Sequence, residues 1–182
     1  MRSDQVAMPG GVTSQRDVVE LPGAVAIVAL DTDDRVLLVR QYRHPVGRRL
    51  WEIPAGLLDS TTESALEAGQ RELLEEGGYT AGSWHALTDL LTSPGMADET
   101  VRVLLARDLV DVPVAERPRL VHEEQELETG WLPLDEAVSQ VLAGAIENSI
   151  TVAGLLAAHA VRAGGGAALR PHDAPWGARK AV

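Results

Sequence analysis

Three glutamates on one predicted helix, Glu72, Glu75 and Glu76, have a spacing that could support chemistry. A helix turns by about 100° per residue, so steps of three and four residues place all three side chains on one stripe. Carboxylate oxygens suit Mg²⁺ and Mn²⁺, and Mg²⁺ typically combines a few carboxylates with waters and substrate phosphates. The stripe therefore indicates a divalent metal site.

A solvated acidic face is the alternative interpretation of the same helix. Glu67 and Glu75 stand four residues to either side of Arg71, which is the spacing of ordinary helical ion pairs. Repulsion between like charges at this spacing costs only about 0.2–0.5 kcal/mol on an exposed helix. The spacing by itself leaves both interpretations open.

The charge of the whole chain limits its partners. Among 182 residues, 16 are Lys or Arg and 27 are Asp or Glu, so the formal net charge is −11. Nucleic-acid binding normally needs a surplus of basic residues, and we expect no nucleic-acid partner. An anionic substrate would need a metal ion or a few arginines to reverse the field at its site.

The sequence contains no cysteine, which excludes disulfides, thiolate metal sites and cysteine nucleophiles. A cytoplasmic location is the simplest expectation. The longest apolar stretch, Ala24 to Leu30, is far shorter than the ~20 residues of a membrane-spanning helix, and the polar start of the chain is not a signal peptide. We therefore expect no membrane partner.

The elements that must position the glutamates follow from local patterns. The apolar run 23–30 predicts a strand buried on both faces, and the short polar link to a strand over 35–43 predicts an antiparallel hairpin. Further strands are predicted at 84–91, 100–106 and 129–132, and further helices from about 133 to 142 and from 148 to 161.

The helix that carries the glutamates is predicted over 63–76, because apolar residues recur at helical spacing and Gly77-Gly78 supplies a stop. Ser60 and Glu63 have the spacing of a capping box at its start. Hairpins and a few helices, without regular βαβ alternation, predict an α+β fold with a mixed sheet. The common glycine-rich phosphate loops are absent from the sequence.

The stretch from Gly56 to Tyr79 resembles the signature of the Nudix hydrolases, G-x5-E-x7-R-E-U-x-E-E-x-G-U, in which U is an aliphatic or apolar residue. The residues that fall in place are Glu63, Arg71, Glu72, Leu73, Glu75, Glu76, Gly78 and Tyr79. One departure is an extra residue between Gly56 and Glu63, which changes the loop and leaves the spacing of the carboxylates untouched.

This resemblance implies a mixed β-sheet sandwiched between helices (α/β/α) and a cofactor of Mg²⁺ or Mn²⁺, with two or more ions once substrate is bound. It implies that Glu72 and Glu76 bind metal directly. Glu75 would be a ligand or support one, and the backbone carbonyl of Ala55 would be a further ligand. Arg71 would orient the glutamates, and its spacing from Glu75 fits that role.

The flanking sequence, from about Asp4 to Ala160, is similar to the ADP-ribose pyrophosphatases of actinobacterial type within that family. The similarity implies hydrolysis of ADP-ribose to AMP and ribose 5-phosphate by a homodimer. It also implies substrate contacts at Arg43 and Gly56, with Arg16 a weaker candidate. Pro94 lies near the place where a proline accompanies ADP-ribose specificity, and a simple loop proline is the alternative.

The segment His122-Glu123-Glu124-Gln125-Glu126 resembles the acidic loop that carries the general base in these enzymes. Matching residue by residue places the base at Glu124, with Glu123 and Glu126 as rivals and a solvated acidic loop as the alternative. We expect Arg48 and Arg49 to be structural partners of acidic residues such as Glu52.

We expect three parts: an N-terminal segment (1–20), a Nudix domain (21–162) and a mobile C-terminal tail (163–182). The resemblance implies an N-terminal segment that contributes to the dimer and the adenosine pocket, and we expect this segment to be shortened here. Two other functions stay open. One is the same chemistry on a nucleotide sugar, a dinucleoside polyphosphate or an oxidised nucleotide, and the other is a catalytically silent sensor of ADP-ribose.

Overall fold

The centre of the molecule is strand β3 (Ala24–Ala29), as seen in a computed structural model that describes residues 1–58, 62–118, 126–164 and 168–177. All six residues of β3 are buried, which confirms the strand predicted from the apolar run. Strand β8 (Thr100–Asp111) pairs with β3 in parallel, and the short strand β6 (Ala55–Leu57) pairs with its other edge antiparallel.

The main sheet has five strands among the described residues. Strand β7 (Tyr79–Leu91) pairs antiparallel with β8, and the two-residue strand β10 (Arg170–Pro171) pairs antiparallel with β7. The order is β10-β7-β8-β3-β6, with one parallel pair among antiparallel ones. The predicted α+β class with a mixed sheet is therefore confirmed.

A second sheet of three strands contains β4 (Arg35–Arg43), flanked by β5 (Arg48–Glu52) and β9 (Glu128–Pro133). The predicted hairpin between β3 and β4 is wrong, since only an isolated bridge, Leu30 to Val36, joins them. The reason is competition for edges. Both edges of β3 are taken by β6 and β8, so β4 finds its hydrogen-bond partners elsewhere.

Helices cover both faces of the main sheet. They are α1 (Ala65–Glu72), α2 (Leu134–Leu142) and α3 (Ser149–Arg162). Gly69 of α1 lies against Leu104 and Ile27, whereas Gly154 of α3 lies against Val28. Because neighbouring residues of a strand face opposite sides, α1 and α3 pack on opposite faces of β3, which gives the α/β/α arrangement.

The start of α1 differs from the prediction. Its N-cap is Ser64, whose hydroxyl accepts from the Glu67 N–H at 3.2 Å, while the Glu67 carboxylate accepts from the Ser64 N–H at 2.8 Å. The predicted box joined Glu63 to Ser60, which lies outside the described residues. Glu63 bonds to Arg71 instead, and the helix begins at Ala65, two residues later than predicted.

The two ends of the chain also form structure. Strands β1 (Arg2–Ala7) and β2 (Thr13–Val18) make a separate antiparallel hairpin. Residues 168–177, assigned from sequence to a mobile tail, instead pack on the main sheet, because the buried Arg102 on β8 donates hydrogen bonds to their carbonyl groups. No helix within the described ranges is long and apolar enough to cross a bilayer.

Candidate metal and active site

Strand β6 and the end of the α1 helix meet at two points. The Ala55 N–H donates to Glu76 Oε2 at 2.9 Å. At Gly56, a side-chain carbon would lie only 1.9 Å from Glu72 Oε1, so the carboxylate of Glu72 rests on the glycine backbone. The structure therefore brings together four of the predicted site residues. Ala55 and Gly56 come from the start of β6, which we also call the Ala55–Gly56 turn, and Glu72 and Glu76 come from the end of α1 and the residues after it.

The three glutamates differ in their surroundings. Glu72 and Glu76 are each only 7% exposed, whereas Glu75 is half-buried. Burial of a carboxylate is unfavourable unless it is paired or binds a metal, so a solvated acidic face does not describe Glu72 and Glu76. Two buried carboxylates, one turn apart, form the centre of the site.

The chain between these glutamates is not a regular α-helix. Residues Leu73–Gly77 form a π-helical turn, which ends at Gly78 with a φ of 76°. Such turns are rare and occur frequently at functional sites. The Gly77-Gly78 pair in the sequence correctly indicated where the helix ends. The sequence pattern did not indicate that the last turn has π-helical rather than α-helical hydrogen bonds.

Arg71 connects the glutamates to β6. Its guanidinium donates to Glu63 at 3.1 Å, to Glu75 at 3.3 Å and to the Leu57 carbonyl at 3.1 Å, and it also pairs with Glu72. A single cation shared by three carboxylates offsets their mutual repulsion. These contacts fit the expected orienting role of Arg71. Glu67, the other glutamate four residues from Arg71, instead accepts from the Ser64 N–H at the helix cap.

The oxygen donors at this site fit a divalent cation. Mg²⁺ binds through one or two carboxylates and completes its shell with waters and substrate phosphates. The buried pair Glu72 and Glu76 supplies that number, next to the backbone of Ala55. Among the residues that the structure describes, no three or more acidic, His or Cys side chains converge as a complete metal cage.

Arg43, the expected phosphate ligand, lies at the end of β4 in a double contact with Glu52. Its Nη2 is 2.6 Å from Oε2 and its Nε is 3.0 Å from Oε1 of that carboxylate. Glu52 is 2% exposed, whereas the Arg43 side chain is 43% exposed. The buried carboxylate therefore holds the guanidinium of a side chain that is itself partly exposed.

The expectation that Arg48 and Arg49 pair with acidic residues is confirmed, but their partners are not Glu52. Arg48 contacts Glu147 at 2.8 Å, and Arg49 pairs with Glu126. Register accounts for Arg49, which lies on the opposite face of the β4–β5 pair from Glu52. Arg43 and Arg48 both lie on the face of Glu52, and of these two the structure pairs Arg43 with it.

The candidates for the general base fall mostly outside the described residues. Glu123 and Glu124 belong to the range 119–125, of which the structure gives no description. The rival Glu126 is described, with its carboxylate in an ion pair with Arg49.

Arg16 and Pro94 belong to neighbouring segments. Arg16, on β2, donates to the Ser14 hydroxyl at 2.7 Å. Pro94 is exposed in the turn at 93–97. The Val19 N–H donates to the Met96 carbonyl at 2.8 Å, which places the end of the N-terminal segment beside this turn.

Comparison with known proteins gives three related findings. A family model described as the NUDIX domain matches residues 20–152. An ADP-ribose pyrophosphatase of Mycobacterium tuberculosis is 52% identical over 176 residues, covering 97% of this chain and 83% of that protein. An ADP-ribose pyrophosphatase of Bacillus subtilis is 40% identical over 138 residues, covering 76% and 72%.

A solved structure described as an ADP compounds hydrolase aligns with a TM-score of 0.72 and 25% sequence identity. The alignment covers 90% of this chain and 86% of that chain. The family match includes β6, α1 with the glutamates that follow it, and strand β9.

Proposed function

This chain belongs to the Nudix family, and on that premise we propose that it hydrolyses ADP-ribose to AMP and ribose 5-phosphate. The observation that carries the proposal is the 52% identity to an ADP-ribose pyrophosphatase over nearly the whole chain. The buried carboxylates beside the Ala55–Gly56 turn supply a site suited to that chemistry.

The proposed cofactor is Mg²⁺ or Mn²⁺, with two or more ions in the presence of substrate. Glu72 and Glu76 would hold metal directly, assisted by Glu75 and by the Ala55 carbonyl. When bound, divalent ions supply positive charge that offsets the negative charge of the diphosphate oxygens. This local charge is what allows a chain of net charge −11 to accept an anionic substrate.

The chain's own side chains have distinct proposed tasks. Arg43, held by Glu52, would bind diphosphate oxygens with its guanidinium. Arg71 would keep Glu72 oriented. Water attacks one phosphorus, the bond from that phosphorus to the bridging oxygen breaks, and Glu124 would take the proton from the water.

Contacts outside the diphosphate would select the substrate. The proposed positions of these contacts are Gly56 and Pro94, and Arg16 on the N-terminal hairpin is a weaker candidate for a second arginine at the diphosphate. The carboxylates cannot discriminate among nucleoside diphosphate derivatives, since they act on the part that all of these share.

A homodimer and a cytoplasmic location complete the proposal. The hairpin of β1 and β2 supports the dimer, because a two-stranded hairpin on its own is marginally stable and most of its side chains are exposed. A second copy of the chain would cover it. Sedimentation of an active preparation tests this: a dimer is expected, and a strictly monomeric profile would refute it.

A substrate panel in the presence of Mg²⁺ tests the activity. We expect equal amounts of AMP and ribose 5-phosphate from ADP-ribose, with a kcat/KM above those for nucleotide sugars, dinucleoside polyphosphates and oxidised nucleotides. A much higher kcat/KM on another substrate would reject ADP-ribose. Tight binding of ADP-ribose without cleavage, with Mg²⁺ and Mn²⁺ saturating, would indicate a sensor instead.

A further inference from the structure

Residues 168–177, which we call the C-terminal strap, run across one face of the main sheet towards α1. The strap begins at the sheet edge, where β10 pairs with β7 at Ala86 and His85. Its later residues contact Arg102 on β8, and Trp176 near its end packs beside Val25 on β3. The strap therefore spans the strands between the edge of the sheet and the helix that carries the glutamates.

Arg102 is the anchor of the strap. It is 2% exposed, and its guanidinium donates to both oxygens of Asp89, at 2.8 and 3.1 Å. Its remaining donors reach the strap carbonyls of Ala174 at 2.7 Å, Pro175 at 3.2 Å and His172 at 3.3 Å. A buried guanidinium needs all of these acceptors, so the strap backbone is fixed at three points between residues 172 and 175.

Asp89 joins the two ends of this network. Its carboxylate also accepts from Arg170 of the strap at 2.8 Å. Burial raises the pKa of the Asp89 carboxyl, and the hydrogen bonds from Arg102 and Arg170 outweigh burial and lower it below the ordinary value. The carboxylate is therefore charged at neutral pH and holds both arginines.

Trp176 connects the strap to α1 through an apolar contact. Its ring lies 5.0 Å from the Arg102 guanidinium carbon and packs on a small apolar cluster. The cluster consists of Val25, Leu58, Ala65 and Ala68. Leu58 follows β6 directly, and Ala65 is the first residue of α1, so the cluster on which the indole packs contains residues from both sides of the segment that joins β6 to α1.

The contacts of Trp176 lead to the metal-binding glutamates in two steps. Leu58 is held by its N–H bond to the Gly23 carbonyl at 2.9 Å, and the preceding carbonyl, of Leu57, accepts from Arg71 at 3.1 Å. Arg71 in turn pairs with Glu72. A displacement of Leu58 would move the Leu57 carbonyl and so release one of the contacts that orient Glu72.

We propose that the C-terminal strap positions the metal site, with Trp176 as a positioning residue that acts on Glu72 through Leu58 and Arg71. This proposal rests on the proposed function for the role of Glu72 as a metal ligand. It adds a segment outside the Nudix match, which ends at residue 152, to the elements that set metal affinity.

The test compares W176A with W176F and with a control variant, L169A, in the full-length protein. Leu169 also belongs to the strap, but it packs on the cluster on the α3 side of the sheet. Two readouts apply without any substrate: Mn²⁺ binding followed by electron paramagnetic resonance, and amide hydrogen exchange of Leu57, Leu58 and the first turn of α1. All measurements are made well below the melting temperature of each variant.

W176A should weaken Mn²⁺ binding by roughly 3- to 10-fold, the range of indirect coupling through packed side chains. It should also speed exchange at Leu57 and Leu58. W176F should restore most of both values because a ring again fills the cluster, and L169A should leave both unchanged. The same Mn²⁺ affinity and exchange rates in W176A and the wild type would overturn the proposal, as would an equal effect of L169A.

These outcomes are separable from failure of the proposed function. An inactive wild-type protein that still binds Mn²⁺, with weaker binding in W176A, would reject ADP-ribose hydrolysis and keep the role of the strap. An active wild-type protein with unaltered Mn²⁺ binding in W176A would reject the strap alone.

Discussion

The carboxylate of Glu72 lies directly on the backbone of Gly56, so close that a side-chain carbon at that glycine would be 1.9 Å from Oε1. The contact joins β6 to the end of α1 and places a buried carboxylate against the β6 backbone. No φ restriction selects glycine here. The absence of a side chain is what makes room for the carboxylate.

The first prediction concerns this contact. In G56A the new methyl group must displace Glu72, and a displacement of about 1 Å at an active site can lower a rate by about 10²-fold. We expect a fall in kcat/KM of that order, measured on ADP-ribose with saturating Mg²⁺. G95A is the matched control, since a side chain at Gly95 meets no atom within 4 Å, and it should retain wild-type activity. Full activity in G56A would show that Glu72 need not lie where it does.

The second prediction concerns Arg43. In R43K the cation remains, but lysine cannot contact the Glu52 carboxylate and a phosphate through the same planar fork. We expect KM for ADP-ribose to rise by about 10-fold, as for the loss of a charged hydrogen bond. R48K serves as the control because Arg48 pairs with Glu147 on the surface. An unchanged KM in R43K would remove Arg43 from the diphosphate site.

The third prediction tests the general base. E124Q should lower kcat by roughly 10²–10⁴-fold while the melting temperature stays near that of the wild type, since an amide of the same shape cannot accept the proton. E123Q and E126Q should have much smaller effects. A large loss in E126Q with an active E124Q would move the base to Glu126 and give its ion pair with Arg49 a role in catalysis.

The fourth prediction follows from the lowered pKa of Asp89. Because the folded state binds this proton more weakly than the unfolded state, the carboxylate stabilises the fold at neutral pH. That stabilisation declines as the pH falls below about 4 and through the lowered pKa. D89N should therefore unfold at lower denaturant concentration than the wild type at pH 7, and the difference should shrink at pH 3. A pH-independent difference would show that lost packing, not lost charge, explains D89N.

Much of the site could be predicted from local sequence. The spacing of Glu72 and Glu76 places them one turn apart whatever surrounds the helix, and the run from Ala24 to Ala29 is apolar on both faces, so burial on both sides follows. These predictions succeeded because helix and strand geometry relate residues only a few positions apart.

The remaining features depended on competition between partners that are distant in sequence. Strand β4 pairs with β5 and β9, because β6 and β8 occupy both edges of β3. Glu52 pairs with Arg43, whereas Arg48, on the same face of the β4–β5 pair, binds the distant Glu147. Local patterns indicate which partners a segment could pair with. They do not indicate which of these partners it contacts in the folded protein.

Local sequence was enough to predict the class of fold and the spacing of Glu72 and Glu76. The burial of Glu72 on Gly56 could be seen only in the folded chain, as could the hydrogen bonds from Arg102 to carbonyl groups about 70 residues later. Both features have one cause. A buried charge must find its partners in three dimensions, and in a folded chain the acceptors closest in space need not be close in sequence.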